Sequence, residues 1–262
     1  MSGDEVIVTV AAVVIGPFLW LVWLLQVSRL PPLRPRRTGL ALAGVLGLCT
    51  AIVFIVLKTG ASYDVVNDAR YLFMYVVLGL AWLRVSTLPF PYLGLSLRDD
   101  VVERGNEAAL PAAIGALVAV TLCYAGGNIG DGPGWWVVVF SALLSTGTLM
   151  LAWLLLGQFT GIADAVTVDR DPAAGLRLGA FLVAAGIVLG RAVAGDWQSA
   201  AATVTDFLEV LPAVAALLVV GVVVERLARP TPKHPHAPFI PLGIAPAALY
   251  VFTALVTLPL LD

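Results

Sequence analysis

Apolar runs of about twenty residues recur eight times along this chain, separated by short segments that hold nearly all of its charge. Twenty residues is the length an α-helix needs to cross the ~30 Å hydrocarbon layer of a bilayer. The runs lie near Val6–Val27, Gly39–Lys58, Tyr71–Leu88, Ala108–Gly126, Trp135–Gly157, Ala173–Arg191, Asp206–Leu227 and Phe239–Leu260. A closed β-barrel is the other way to span a membrane, but it alternates polar and apolar residues, and stretches such as Leu151–Leu156 do not. The expected fold is therefore an all-α integral membrane protein with eight transmembrane helices. Composition agrees: of 262 residues 60% are hydrophobic and 12% charged, about half the charged share of an ordinary soluble domain.

Basic residues set the orientation, because cytoplasmic loops hold the excess of Lys and Arg. The first, third, fifth and seventh connections carry Arg29, Arg34, Arg36 and Arg37; Arg84, Arg98 and Arg104; Arg170 and Arg177; and Arg226, Arg229 and Lys233. Twelve of the 15 basic residues thus fall on one side, leaving Lys58, Arg70 and Arg191 for the other. The odd-numbered loops are expected in the cytoplasm and both termini outside. The start, Met-Ser-Gly-Asp-Glu, lacks the basic flank of a signal peptide, so the first helix is expected to remain in the mature chain. A net charge of −2 offers no basic face for nucleic acid.

The chain also matches itself at an offset of 65 residues. Asn106-Glu107-Ala108-Ala109 falls on Asp171-Pro172-Ala173-Ala174, and Gly130-Asp131 falls on Gly195-Asp196. We read four two-helix units over about 1–68, 69–133, 134–203 and 204–262, the outer two diverged. A helix pair returns the chain to the side it left, so successive units share one orientation and the symmetry is parallel. The second helix of each unit is rich in Gly and Ala, which permits close backbone approach, and these four helices are expected at the bundle centre.

The stretch Glu103-Arg104-Gly105-Asn106-Glu107-Ala108-Ala109-Leu110-Pro111-Ala112-Ala113-Ile114-Gly115, with Asp169-Arg170-Asp171-Pro172-Ala173-Ala174-Gly175-Leu176-Arg177-Leu178-Gly179 one unit later, resembles the repeated signature of the YjfL-like proteins. These are bacterial inner-membrane proteins grouped as domain of unknown function 350. The likeness is best over 71–197, and the chain departs from the family's Asn-x-Ala-Ala at Asp171. It implies duplicated hairpins in a bacterial plasma membrane and, through the family's association with envelope stress, a membrane-associated partner. It implies no particular activity.

Asn106 and Asp171 each precede an Ala-rich helix, where a side-chain oxygen can accept an orphan backbone N–H. Helix capping is the reading adopted for both; a shared polar vestibule on the basic-rich side is the alternative. Arg177 lies about 9 Å inside its helix, so its guanidinium is expected to snorkel to the cytoplasmic headgroups, or else to line a hydrated cavity. Arg191 and Glu209, opposite in sign near the outer ends of neighbouring helices, are expected to form an ion pair. Asp131 and Asp196 form an outer-face acidic pair, read as Gly-Asp turns, with a ring around an exit as the sharper alternative. Pro111, Pro212, Pro241 and Pro246 should bend their spans or free a carbonyl.

No chemistry of an enzyme is legible. His-Glu-x-x-His, Gly-x-Ser-x-Gly and P-loop patterns are absent. His234 and His236 in a Pro-rich loop are too few for a metal, Cys49 and Cys123 sit inside spans as packing residues, and no cofactor is expected. The expectation is a non-enzymatic plasma-membrane protein, as a single chain or a homo-oligomer, that meets a cytoplasmic protein at its basic-rich loops as the membrane component of an envelope-stress assembly. The alternative is a small channel or secondary transporter with a path between the Gly/Ala-rich helices past Arg177.

Overall fold

In a computed structural model the described residues are 1–28, 36–228 and 238–258. Arg29, Arg34, Arg229, Lys233, His234 and His236 lie outside them. Among the described residues eight helices are long and apolar enough to cross a membrane: α1 (Gly3–Ser28), α2 (Thr38–Gly60), α3 (Ala69–Ser86), α4 (Ala109–Gly126), α5 (Trp135–Thr160), α6 (Pro172–Ala192), α7 (Ala200–Ala228) and α8 (Ile240–Thr257). The chain is a multi-pass helical membrane protein. Two helices carry a widened π-type turn, Val14–Phe18 in α1 and Ile240–Ile244 in α8, each containing a proline, Pro17 or Pro241, whose ring cannot sit in an unbroken i to i−4 ladder.

The helices form two layers. In one, α2, α4, α6 and α8 pack side by side in that order. In the other, α3 lies over the furrow between α2 and α4, α5 over that between α4 and α6, and α7 over α6 with its edge on α8. Helix α1 lies against α3 and touches α2. The four Gly/Ala-rich helices are thus a row and not a central cluster. Only α4 and α6 are enclosed, with 72% and 78% of their spans buried, against 33% for α2 and 22% for α8. The reason is positional: a row has two ends, and α2 and α8 each lack a neighbour on one side.

Small residues make the α4–α6 seam. A Cβ added at Gly115, Gly126, Gly175, Gly179, Gly186 or Gly190 would meet the backbone of the partner helix closer than 3.0 Å. The contacts run in parallel register, Gly175 on Ala108, Gly186 on Ala119 and Gly190 on Leu122. Without water between them, helices in lipid associate through such van der Waals contact, and only a missing side chain lets the backbones meet.

Corresponding ends of this seam are built alike. Asn106 and Asp171 each accept the backbone N–H two residues on, from Ala108 at 3.0 Å and Ala173 at 2.9 Å. Each also donates its own N–H back to a carbonyl six residues earlier, Asp100 or Ala165, at 2.9 Å. The residue before each, Gly105 or Arg170, has left-handed backbone with φ of 53° or 56°. Asn106 further donates its amide N–H to Val166 O at 2.7 Å, tying the third connection to the fifth. At the opposite end, Gly130 N–H donates to Gly60 O at 2.8 Å and Gly195 N–H to Ile129 O at 3.0 Å, so each exit is stitched to the preceding one.

Candidate functional site

Charge inside the bilayer is the best pointer to function in such a chain, because an ionisable group there is costly unless it is paired or used. Arg177, the sixth residue of α6, is 1% exposed. Its Nε donates to Glu225 Oε1 at 2.7 Å and its Nη2 to Glu225 Oε2 at 2.8 Å, a two-pronged pair with a carboxylate that is itself 5% exposed. Nη1 donates to the backbone carbonyl of Leu242 in α8. The guanidinium therefore does not snorkel to the headgroups. Glu225 stands in the last turn of α7 and captures it within the protein, where a planar donor fork and a carboxylate match.

The third partner is supplied by a proline. In a regular helix the Leu242 carbonyl would accept the N–H of residue 246, but Pro246 has none. The freed carbonyl, within the π-type turn, is the one that takes Arg177. One residue from each of α6, α7 and α8 is thereby joined at the basic-rich end of the helices.

Two further polar atoms are buried in this region without a hydrogen-bond partner, the Tyr250 hydroxyl and Asp171 Oδ2. Tyr250, on α8, packs edge-on against Phe181 of α6 with ring centroids 5.9 Å apart, and lies within electrostatic reach of Glu225 and Arg177. Asp171 lies within such reach of Glu225. The site is thus one cation and one carboxylate buried among apolar helices, with a phenol and the partly exposed Asp171 at its edge.

The other residues singled out in the sequence lie elsewhere. Arg191 and Glu209 are not joined in an ion pair among the described residues. Arg191, in the last turn of α6, reaches the Ala194 carbonyl at 3.5 Å, as cations at a helix C-terminus do, while Glu209 is exposed on α7. Asp131 and Asp196 are tied to each other directly, and Asp131 also lines a pocket at this end with Gly130, Gly195 and Trp197. The Asp196 carboxylate accepts Asp131 N–H at 2.8 Å, and the Asp131 carbonyl accepts Trp197 N–H at 2.7 Å.

Glu225 is not among the residues the sequence singles out, although it is an acid within the apolar run 206–227, directly after Val222-Val223-Val224 and opposite in sign to Arg177. Against models of known protein families, curated proteins and solved structures, the chain matches none.

Proposed function

We propose that the chain is a non-enzymatic component of a bacterial plasma membrane. In this reading it is four helix pairs in parallel repetition, with termini outside, presenting its basic-rich loops to a cytoplasmic protein. The observation that carries this reading is the closed α4–α6 seam, where glycine-to-backbone contact leaves no room for a path between the enclosed helices. The like geometry at Asn106 and Asp171 supports the repetition, and the ties among Gly60, Gly130 and Gly195 support a common end for the even connections. The likeness to the YjfL-like signature supports the bacterial setting and a role in an envelope-stress assembly.

A conduit is the second reading, favoured by one feature, the buried Arg177–Glu225 pair with two unsatisfied polar atoms near it. Ion flux separates the two. Purified protein in liposomes loaded with a pH- or potassium-sensitive dye is expected to stay as tight as empty liposomes. Flux that disappears in Arg177→Ala would overturn the component reading in favour of the conduit.

A further inference from the structure

A second polar site lies at the basic-rich end of the α1–α3 side, far in sequence from Arg177. It is a cavity of about 120 Å³ lined by Trp20, Trp23, Arg84, Thr87, Ser96 and Arg98, with Pro91 and Leu97 completing the wall. Trp20 and Trp23 belong to the second half of α1, and Arg84 to the last turn of α3, so the cavity lies toward the end of α3 that leads into the third, basic-rich connection. Trp20 is fixed there by its indole N–H, which donates to Leu80 O at 3.2 Å, and by an edge-on contact with Trp23 at 5.7 Å. Paired indoles and arginine at this depth are the usual furnishing of a membrane interface.

Arg70, Arg98, Arg104 and Arg177 each have a carboxylate, respectively Asp68, Glu103, Asp100 and Glu225. Among the described residues Arg84 has no carboxylate partner. It lies over the Trp20 ring at 5.6 Å, its Nη1 donates to the Thr87 hydroxyl at 3.0 Å, and its Nε is buried with no hydrogen-bond acceptor. The nearby acids are already engaged. Asp99 accepts the Ser96 hydroxyl at 2.9 Å, Asp100 accepts Ser96 N–H at 2.8 Å and Arg104, and Glu103 takes only the Nε of Arg98, at 2.8 Å. The donor capacity left over in the cavity is that of two guanidinium groups, with a stacked indole on one side and apolar wall on the other.

We propose that this cavity binds the phosphate of an anionic phospholipid headgroup, held between Arg84 and Arg98 with its glycerol and first methylenes against Trp20 and Trp23. Arginine forks suit a phosphate's oxygens, and a half-buried guanidinium without a carboxylate is satisfied by such an acceptor at little further desolvation. The depth of the cavity selects a lipid over a free anion, because the indole walls can be covered only by a ligand with an apolar part. A polar headgroup and an acyl chain meet at this level and nowhere else.

The test uses the intact chain in nanodiscs of phosphatidylcholine doped with phosphatidylglycerol, followed by gentle extraction and native mass spectrometry of the lipids retained. Wild-type protein is expected to retain phosphatidylglycerol over phosphatidylcholine about fivefold or more, the effect of one basic residue near the surface. Arg84→Gln should abolish the preference, and Arg98→Gln, an exposed side chain whose loss leaves the helix packing alone, should weaken it. Arg226→Gln, outside the cavity, should leave it unchanged. Equal retention of the two lipids by wild-type protein would overturn the proposal, as would a preference untouched by Arg98→Gln and Arg84→Gln. Inorganic phosphate titrated into protein in pure phosphatidylcholine nanodiscs gives the other arm: saturable binding there that is lost in Arg84→Gln would assign the cavity to a free anion and refute the lipid.

Discussion

Glu225 of α7 holds Arg177 of α6 with both carboxylate oxygens, 48 residues apart in the chain and at 2.7 and 2.8 Å, and neither side chain reaches solvent or headgroup. Removing one partner leaves the other charge buried alone, a loss of about 3–5 kcal/mol. Arg177→Ala and Glu225→Ala should each lower the thermal midpoint of the purified protein sharply. The double change Arg177→Met with Glu225→Leu should cost less than the sum of the two single losses. Additive losses would show that the pair contributes nothing as a pair.

The α4–α6 seam predicts a contrast among glycines. Gly115→Ala, Gly179→Ala and Gly186→Ala each place a methyl group into backbone and should destabilise by about 1–3 kcal/mol or more. Gly44→Ala and Gly147→Ala meet nothing within 4 Å and should be neutral or slightly stabilising. Thermal unfolding in one detergent orders the five variants. A Gly44→Ala as damaging as Gly179→Ala would mean that close packing is not what those glycines serve.

The two caps should tolerate different exchanges. At Asp171 only the oxygen bonded to Ala173 N–H is used, so Asp171→Asn should be nearly silent and Asp171→Ala should lose about 1 kcal/mol. At Asn106 the amide N–H also holds Val166 O in a buried setting. Asn106→Asp therefore keeps the cap and loses the tie, and should destabilise more than Asp171→Asn.

Orientation is open to direct labelling, because Cys49 and Cys123 are 1% and 0% exposed and should not react with an impermeant maleimide in the folded protein. Cysteine placed at the exposed positions Glu107 and Arg170 should label from the cytoplasmic side, and cysteine at the exposed Gln198 from the outside only. Labelling of Glu107→Cys and Gln198→Cys from the same side would end the eight-span topology.

Length and local spacing carried the sequence-level reading a long way. A bilayer imposes a run of about twenty apolar residues on any helix that crosses it, so the eight spans stand out wherever they pack. Capping at Asn106 and Asp171 is equally local, since the acceptor and the N–H it takes are two residues apart. Arrangement is another matter. Richness in Gly and Ala together marks α2, α4, α6 and α8, yet of these only α4 and α6 are enclosed, because enclosure depends on having a neighbour on each side and not on composition. Likewise a charge at position 177 is visible in one dimension, but its partner is chosen by which helix the fold lays beside it. Glu225 and the carbonyl that Pro246 leaves free come to Arg177 from 48 and 65 residues away, and only tertiary packing brings such distant groups within a hydrogen bond.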